Sequence, residues 1–449
     1  MKKQVTVIGA GLAGSECALQ LAARGIEVLL IEQRPTKQSP AHHTSNFAEL
    51  VCSNSLKSTK EESAAGILKR ELAGMKSFLL QFAQASAVPA GGALAVDREK
   101  FSSMVTTAIS SNPLIKVERR EAVEIPEEPC VIAAGPLCSD SLYDAISQRL
   151  GTHRMSFYDA AAPIIAADSI DRSIVFAQSR YSEGEKGDYL NCPLNKDEYG
   201  TFIQELLAAR RVVSHEFEQR DLFQACQPIE EVARTGVDSL RFGALKPVGL
   251  TDPRDGRRPW AAVQLRAENV DATAYNLVGF QTNLVWGEQR RVFSMIPGLG
   301  EAEFLRYGVM HRNSFVDAPH ALTPSFAIPH THIRLAGQLT GTEGYVEAIA
   351  SGLLAALNTY ADLITAPEIC LPKTGALGSL VSYATDPNTK EYQPMHVNFG
   401  LFPPLDEEIK KKDERRRRMT QRAQRDFDVY LSTRHDIFVQ EGDALVTNL

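Results

Sequence analysis

The feature that most constrains this chain lies within its first 32 residues. Val5-Thr6-Val7-Ile8 is a short β-branched run, Gly9-Ala10-Gly11-Leu12-Ala13-Gly14 follows, and residues 15–24 have helical composition. Gly25 stands where a helix C-terminal glycine belongs, and Val28-Leu29-Leu30-Ile31 is a second apolar run ending at Glu32. Strand, glycine turn, helix, strand and terminal acid in this register describe a βαβ unit that wraps a dinucleotide. The first glycine makes the tight turn, the second admits a pyrophosphate to the backbone, and the third lets helix and strand approach. Glu32 is placed to accept hydrogen bonds from a ribose diol. Its charge disfavours a 2′-phosphate, so FAD or NAD is expected rather than NADP.

Two later segments favour the flavin. Val131-Ile132-Ala133-Ala134-Gly135 reads as a buried strand ending on glycine, and Ile333-Arg334-Leu335-Ala336-Gly337 repeats that grammar. Gly337-Gln338-Leu339-Thr340-Gly341 then leads into a small-residue helix over residues 344–357. An extended flavin must be held by distant parts of the chain, and a late helix N-terminus suits the negative side of a reduced isoalloxazine. FAD is therefore expected on Gly9, Ala10, Gly11, Leu12, Ala13, Gly14, Glu32, Gly135, Gly337, Gln338 and Gly341. The expected class is α/β: a Rossmann-type, glutathione-reductase-like FAD-binding domain with an inserted mixed α/β domain. Residues 1–150 and 326–449 form its two parts, the latter with a basic C-terminal helix, and residues 151–325 form the insert.

Between these landmarks, residues 36–60 read as a polar loop holding Cys52. Leu68, Leu72, Met75, Leu79 and Phe82 recur at helical spacing, which predicts one amphipathic helix over residues 62–84. Asp97-Arg98 fits either a helix N-cap with its first-turn residue or an arginine of the flavin site. His42 and His43 are either contacts to substrate or folate, or surface residues.

The seven cysteines, at 17, 52, 130, 138, 192, 226 and 370, show no CxxC pair and no metal-ligand spacing. They read as reduced thiols, with no metal expected. The first apolar run, Val5 to Ile8, is far too short for a signal-peptide core or a membrane span, so a cytoplasmic protein is expected. Cys52 and Cys226 lie in polar loops; the other five read as small buried hydrophobes. A net charge of −7 excludes an all-over basic nucleic-acid binder. One dense basic cluster remains, Lys410, Lys411, Lys412 with Arg415, Arg416, Arg417 and Arg418. It is either an RNA contact or a solvated helix paired with its own Glu407, Glu408, Asp413 and Glu414. Arg241, Lys246, Arg290 and Arg291 are alternative RNA contacts near the flavin.

Several segments resemble the folate- and FAD-dependent tRNA (uracil-5-)-methyltransferases. They include Ala41-His42-His43-Thr44, Leu50-Val51-Cys52-Ser53-Asn54-Ser55-Leu56, residues 88–98, Cys226-Gln227-Pro228-Ile229-Glu230, and residues 240–249, 275–297, 308–315 and 336–347. The resemblance runs in order from residue 1 to about 405, departing at Gln227, where an aliphatic residue is expected, and at His396, where asparagine is usual. It implies transfer of a one-carbon unit from 5,10-methylenetetrahydrofolate to C5 of the T-loop uridine of tRNA, with FAD reduced by NADH or NADPH. Uracil C5 is a poor nucleophile until a thiolate adds to C6. The resemblance gives that role to Cys226 and makes Cys52 its partner in acid–base work or in guarding the flavin, with the two roles open to exchange. The alternatives are the same chemistry on a ribosomal RNA uridine, a flavoenzyme modifying the tRNA wobble uridine, and a flavin-binding protein without transfer activity. The oligomeric state is left open.

Overall fold

The structure is a computed structural model describing residues 4–438 apart from 40, 127–128, 153–154, 181–186, 213–226 and 390–391. A five-stranded parallel sheet runs in the spatial order Ile333–Leu335, Cys130–Ile132, Gln4–Ile8, Glu27–Glu32, Ile115–Arg119. Val5 and Val7 pair with Val28 and Leu30, and all four side chains are buried. Continuous apolar runs suit such strands because helices and loops cover both faces. The late strand Ile333–Leu335 pairs with Cys130–Ile132, so one sheet is completed by segments far apart in the chain. The helices Leu12–Ala23 and Tyr345–Ile364 pack together, and Gly352 permits it: a Cβ there would lie 2.1 Å from the Ala13 carbonyl oxygen.

A second, antiparallel sheet has six strands: Phe176–Ala177, Tyr189–Leu194, Ala261–Ala267, Ala274–Leu277, Ile164–Ala166 and Phe304–Arg306. Its hydrophobic core is separate from that of the parallel sheet. A two-stranded ribbon, Met155–Ala160 against Met310–Phe315, lies where the chain enters and leaves this region. No helix among the described residues is long and apolar enough to cross a membrane.

Two local expectations are corrected. Residues 62–84 form two helices, Ala64–Gly74 and Phe78–Ala85, parted by Lys76 with φ +59°. The cause is Glu16, fully buried in the first helix. Its carboxylate accepts from the Ser77 hydroxyl and from the backbone N–H groups of Phe78 and Leu79, at 3.0, 3.1 and 2.8 Å. Only a fresh helix start has free N–H groups to offer. Cys17, Cys130, Cys138 and Cys192 are buried, but Cys370 is exposed, in an irregular surface connection.

Candidate active site

A cleft opens beside the first strand of the parallel sheet, lined by Gly9, Gly11, Leu12, Ala13, Glu32, Gly135, Gly337 and Gln338, with His42 and Tyr345. Gly9 has φ +93°, and a Cβ there would sit 2.5 Å from the Ala133 carbonyl oxygen. At Gly11 and Gly135 nothing lies within 4 Å of a would-be Cβ, so both bare their backbone to open space. Ala10, Gly14 and Gly341 stand behind the lining. Gly14 would press a Cβ to 1.8 Å from the Gly9 carbonyl oxygen, and Gly341 would press one to 2.0 Å from the Tyr392 hydroxyl. Their part is close packing.

Ala10 donates its backbone N–H to Glu32 Oε2 at 2.7 Å, while Glu32 Oε1 accepts from Arg34 N and Nε at 3.0 and 2.9 Å. Burial alone would raise the Glu32 pKa, but the Arg34 charge and these hydrogen bonds outweigh it and hold the carboxyl below its usual range. Burial, followed by the Arg34 charge, pushes His42 down to about 4, so it is neutral at pH 7. Bare glycine backbone, a helix N-terminus and an anionic acceptor at the end of the second strand fit the pyrophosphate and ribose of a dinucleotide such as FAD.

Cys52 is held by the first residues of two helices and by the two-stranded ribbon. Its backbone N–H donates to the Tyr345 hydroxyl at 2.7 Å, and its carbonyl accepts from Arg98 Nη2 at 3.0 Å. Its sulfur lies 3.6 Å from the Ala160 carbonyl oxygen. Arg306 Nη2 donates to the carbonyls of Ala41 and Val51 at 3.1 and 2.9 Å. Asn54 donates to the carbonyls of Val96 and Ala267, both at 3.0 Å, and accepts from Arg266 Nε at 2.7 Å. Asp97 caps the helix Arg98–Ser110, as the sequence suggests. Arg98 itself reaches past the helix to the thiol loop and to Glu268.

A buried acid stands nearby. Glu343 Oε1 accepts from Gln338 Nε2 at 2.6 Å, and its Oε2 has no hydrogen-bond partner among the described residues. Burial, then the neighbouring Asp159 carboxylate, pushes its pKa up to about 8.

Cys226 lies outside the described residues, but the segment after it is firmly anchored. Ile229 N–H donates to the Gln281 carbonyl at 2.7 Å, and Glu230, fully buried, accepts from Thr282 Oγ1 and Asn283 N at 3.0 and 2.7 Å. Thr282 and Ala161 both press on Gly308: a Cβ there would meet their atoms at 2.7 and 2.6 Å. Ala161, which crowds Gly308 from one side as Thr282 does from another, follows Ala160, whose carbonyl faces the Cys52 sulfur.

Lys410, Lys411, Lys412, Arg415, Arg417 and Arg418 are exposed, while Arg416 is partly covered, its guanidinium 5.6 Å from the Phe399 ring centre. Glu414 pairs with Arg417 and with Arg418, so part of the run is internal helix pairing. Arg241, Lys246, Arg290 and Arg291 do not line this cleft. Arg241 lies on Trp260, and Arg291 pairs with Glu205 and Glu288. Arg34, Arg306, Glu268 and Glu343 carry no local signature. Glu343 alone falls inside a segment the sequence singles out, residues 336–347.

The family model for glucose inhibited division protein A matches residues 4–365. The methylenetetrahydrofolate–tRNA-(uracil-5-)-methyltransferase of Geobacter sulfurreducens is 53% identical over 438 residues, covering 96% of this chain and 100% of that protein. The chain belongs to this methyltransferase family. Family members of the same name from Desulforamulus reducens and Listeria monocytogenes are 52% and 50% identical, each covering 94% of this chain and respectively 96% and 98% of theirs. Among solved structures, GidA of Aquifex aeolicus superposes with this methyltransferase-family chain at a TM-score of 0.67. It covers 96% of this chain and 74% of its own, and at 16% identity shows a shared fold.

Proposed function

We propose that this chain transfers a one-carbon unit from 5,10-methylenetetrahydrofolate to C5 of the T-loop uridine in tRNA, leaving 5-methyluridine. FAD occupies the cleft and NADH or NADPH is the reductant. The observation that carries the reading is the Cys52 loop, clamped by Arg98, Arg306 and Tyr345, with Tyr345 also lining the dinucleotide cleft. The bound flavin supplies the electrons that turn the transferred carbon into methyl.

In this reading the Cys226 thiolate forms a bond to uracil C6, and the displaced electron pair makes C5 nucleophilic. After C5 gains its new carbon it gives up its proton to a base, and the C6–sulfur bond breaks. Cys52 works with Cys226, as acid–base partner or as guard of the flavin. The target base must leave the T-loop stack to be reached. Trp286, Tyr307 and Phe304 form a near-parallel ladder with centroid spacings of 5.5 and 5.3 Å, beside the Arg306 that braces the Cys52 loop. Such flat faces accept an unstacked base. The exposed part of the Lys410–Lys412 and Arg415–Arg418 run holds phosphates. Residues 1–150 and 326–449 serve as the FAD-binding domain and 151–325 as the insert, in a cytoplasmic enzyme.

The test incubates flavin-loaded protein with unmodified tRNA transcript, carbon-labelled methylenetetrahydrofolate and NADH, beside Cys226→Ala and Cys52→Ala. Label is expected in the T-loop uridine and lost in the Cys226 variant. Label that enters ribosomal RNA fragments and not tRNA moves the chemistry to another substrate. No transfer to any RNA sinks the reading.

A further inference from the structure

The far end of the inserted sheet carries a second cluster that the reaction does not use. The Arg241 guanidinium lies 3.7 Å from the Trp260 ring centre and 5.3 Å from that of Phe242, and its Nε donates to the Trp260 carbonyl at 3.1 Å. Lys196 Nζ stands 5.6 Å from the same indole. Lys196, Arg241 and Trp260 line an open cavity of about 660 Å³ with Arg254, Arg257 and Arg258, and Phe242 lies beside it against Arg241. Asp252 neutralises Arg254 at 2.7 Å. Lys196, Arg257 and Arg258 are exposed, and none forms an ion pair with a carboxylate among the described residues. Phe242 is 73% exposed, so most of its ring faces solvent beside Arg241. Five cations against Glu198, Asp252 and Asp255 leave the lining positive in a chain of net charge −7.

We propose that this pocket around Trp260 binds the phosphate backbone of the substrate RNA, with Phe242 and Trp260 stacking an unpaired base or ribose face. The inference rests on the reading that RNA is the substrate. Cations interleaved with flat rings are the chemistry of a phosphodiester chain, whose charge and exposed π-faces are recognised together. An acidic peptide would use the cations and leave the rings idle.

The placement agrees. Strand Ala261–Ala267 leads directly from Trp260 to Arg266, which holds Asn54 in the thiol loop. At about 3.3 Å per residue the pocket lies roughly 20 Å from that loop, within one turn of a nucleic-acid duplex, about 34 Å. An RNA arm that presents a loop uridine to the thiols lays its stem backbone across the pocket.

The test uses full-length, flavin-loaded protein and fluorescently labelled, unmodified tRNA in a salt series, with methyl transfer at saturating tRNA measured in parallel. The variants are Arg257→Ala/Arg258→Ala and Phe242→Ala, all at exposed positions outside the catalytic site. The double variant is expected to bind at least about tenfold more weakly, with the slope of log affinity against log salt reduced by about 2. Phe242→Ala is expected to lose roughly five- to tenfold with the slope unchanged. Saturated turnover and thermal midpoint should match the parent for both. A parent that methylates tRNA while both variants bind like it overturns the pocket and leaves the methyltransferase reading intact. Pocket-dependent tRNA binding without any methyl transfer does the reverse. Weaker binding by the double variant with an unchanged salt slope also overturns the phosphate assignment.

Discussion

Arg98, the first residue of a helix packed beside the parallel sheet, forms a buried ion pair with Glu268, just past strand Ala261–Ala267 of the other sheet. The same guanidinium donates to the carbonyls of Cys52 and Leu50, so the position of the thiol depends on a contact between the two halves of the molecule. Removing one partner of a buried pair strands the other and costs about 3–5 kcal/mol. Glu268→Ala is expected to lower the free energy of unfolding by about 3 kcal/mol in urea. Arg98→Lys keeps the charge but loses the forked geometry, so methyl transfer should fall about tenfold or more with flavin content retained. Parent-like turnover in Arg98→Lys would show that the fork does not position Cys52.

Glu343 makes a prediction about pH. Its pKa is pushed up to about 8 by burial, then by Asp159, against 4.5 for an unperturbed glutamate. Between those values the native state keeps a proton that the unfolded chain releases, so stability falls as pH rises from about 4.5 to about 8 and then levels off. Glu343→Gln, which cannot ionise, should flatten that decline. Urea unfolding of flavin-loaded protein at pH 5.5 and pH 7.5 checks it. An equal decline in parent and variant would place the titration elsewhere.

The glycines of the fingerprint should separate by role. Gly14→Ala forces a methyl to 1.8 Å from the Gly9 carbonyl oxygen, so this variant should be destabilised beyond the roughly 1–3 kcal/mol usual for overpacking. Gly11→Ala meets nothing within 4 Å and should fold with a near-parental melting temperature, yet purify with less flavin because its methyl enters the cleft. Thermal melts and flavin absorbance per mole of protein read the two effects. A colourless but stable Gly14→Ala would reverse the assignment.

Asn54 should govern how tightly the Cys52 loop is held. Its side chain is fully buried, and Asn54→Ala leaves Arg266 Nε and two carbonyls without their partner. Each abandoned buried group costs about 1–3 kcal/mol, a strain the loop relieves by loosening. Alkylation of half-buried Cys52 by iodoacetamide, followed by mass spectrometry of its peptide because Cys370 is exposed, should accelerate several-fold. An unchanged rate would show that the other clamps suffice.

What the sequence shows well is whatever neighbouring residues decide among themselves. The turn of residues 9–14, its flanking strands and Glu32 are legible because strand alternation, helix start and glycine geometry are local, and the structure forms them where expected. The two later strand–glycine segments are legible for the same reason. Residues 62–84 show the limit: their apolar spacing is that of one helix, but Glu16, distant in sequence, takes the N–H groups that a continuous helix would have used internally. Arg241 shows another, since its spacing holds no hint that it would lie on Trp260.

By itself, then, the sequence determined a dinucleotide-binding βαβ unit, the likeness to a methyltransferase family and the two candidate thiols. Only the tertiary structure decided that Arg98 serves the thiol loop, that Glu343 is a buried acid next to Asp159, and that Gly14 and Gly341 pack where Gly11 and Gly135 face open space. The physical reason is range. Backbone preference and hydrophobic period act over a few residues, whereas burial, ion pairing and steric clearance depend on which distant segments the fold brings within a few ångströms.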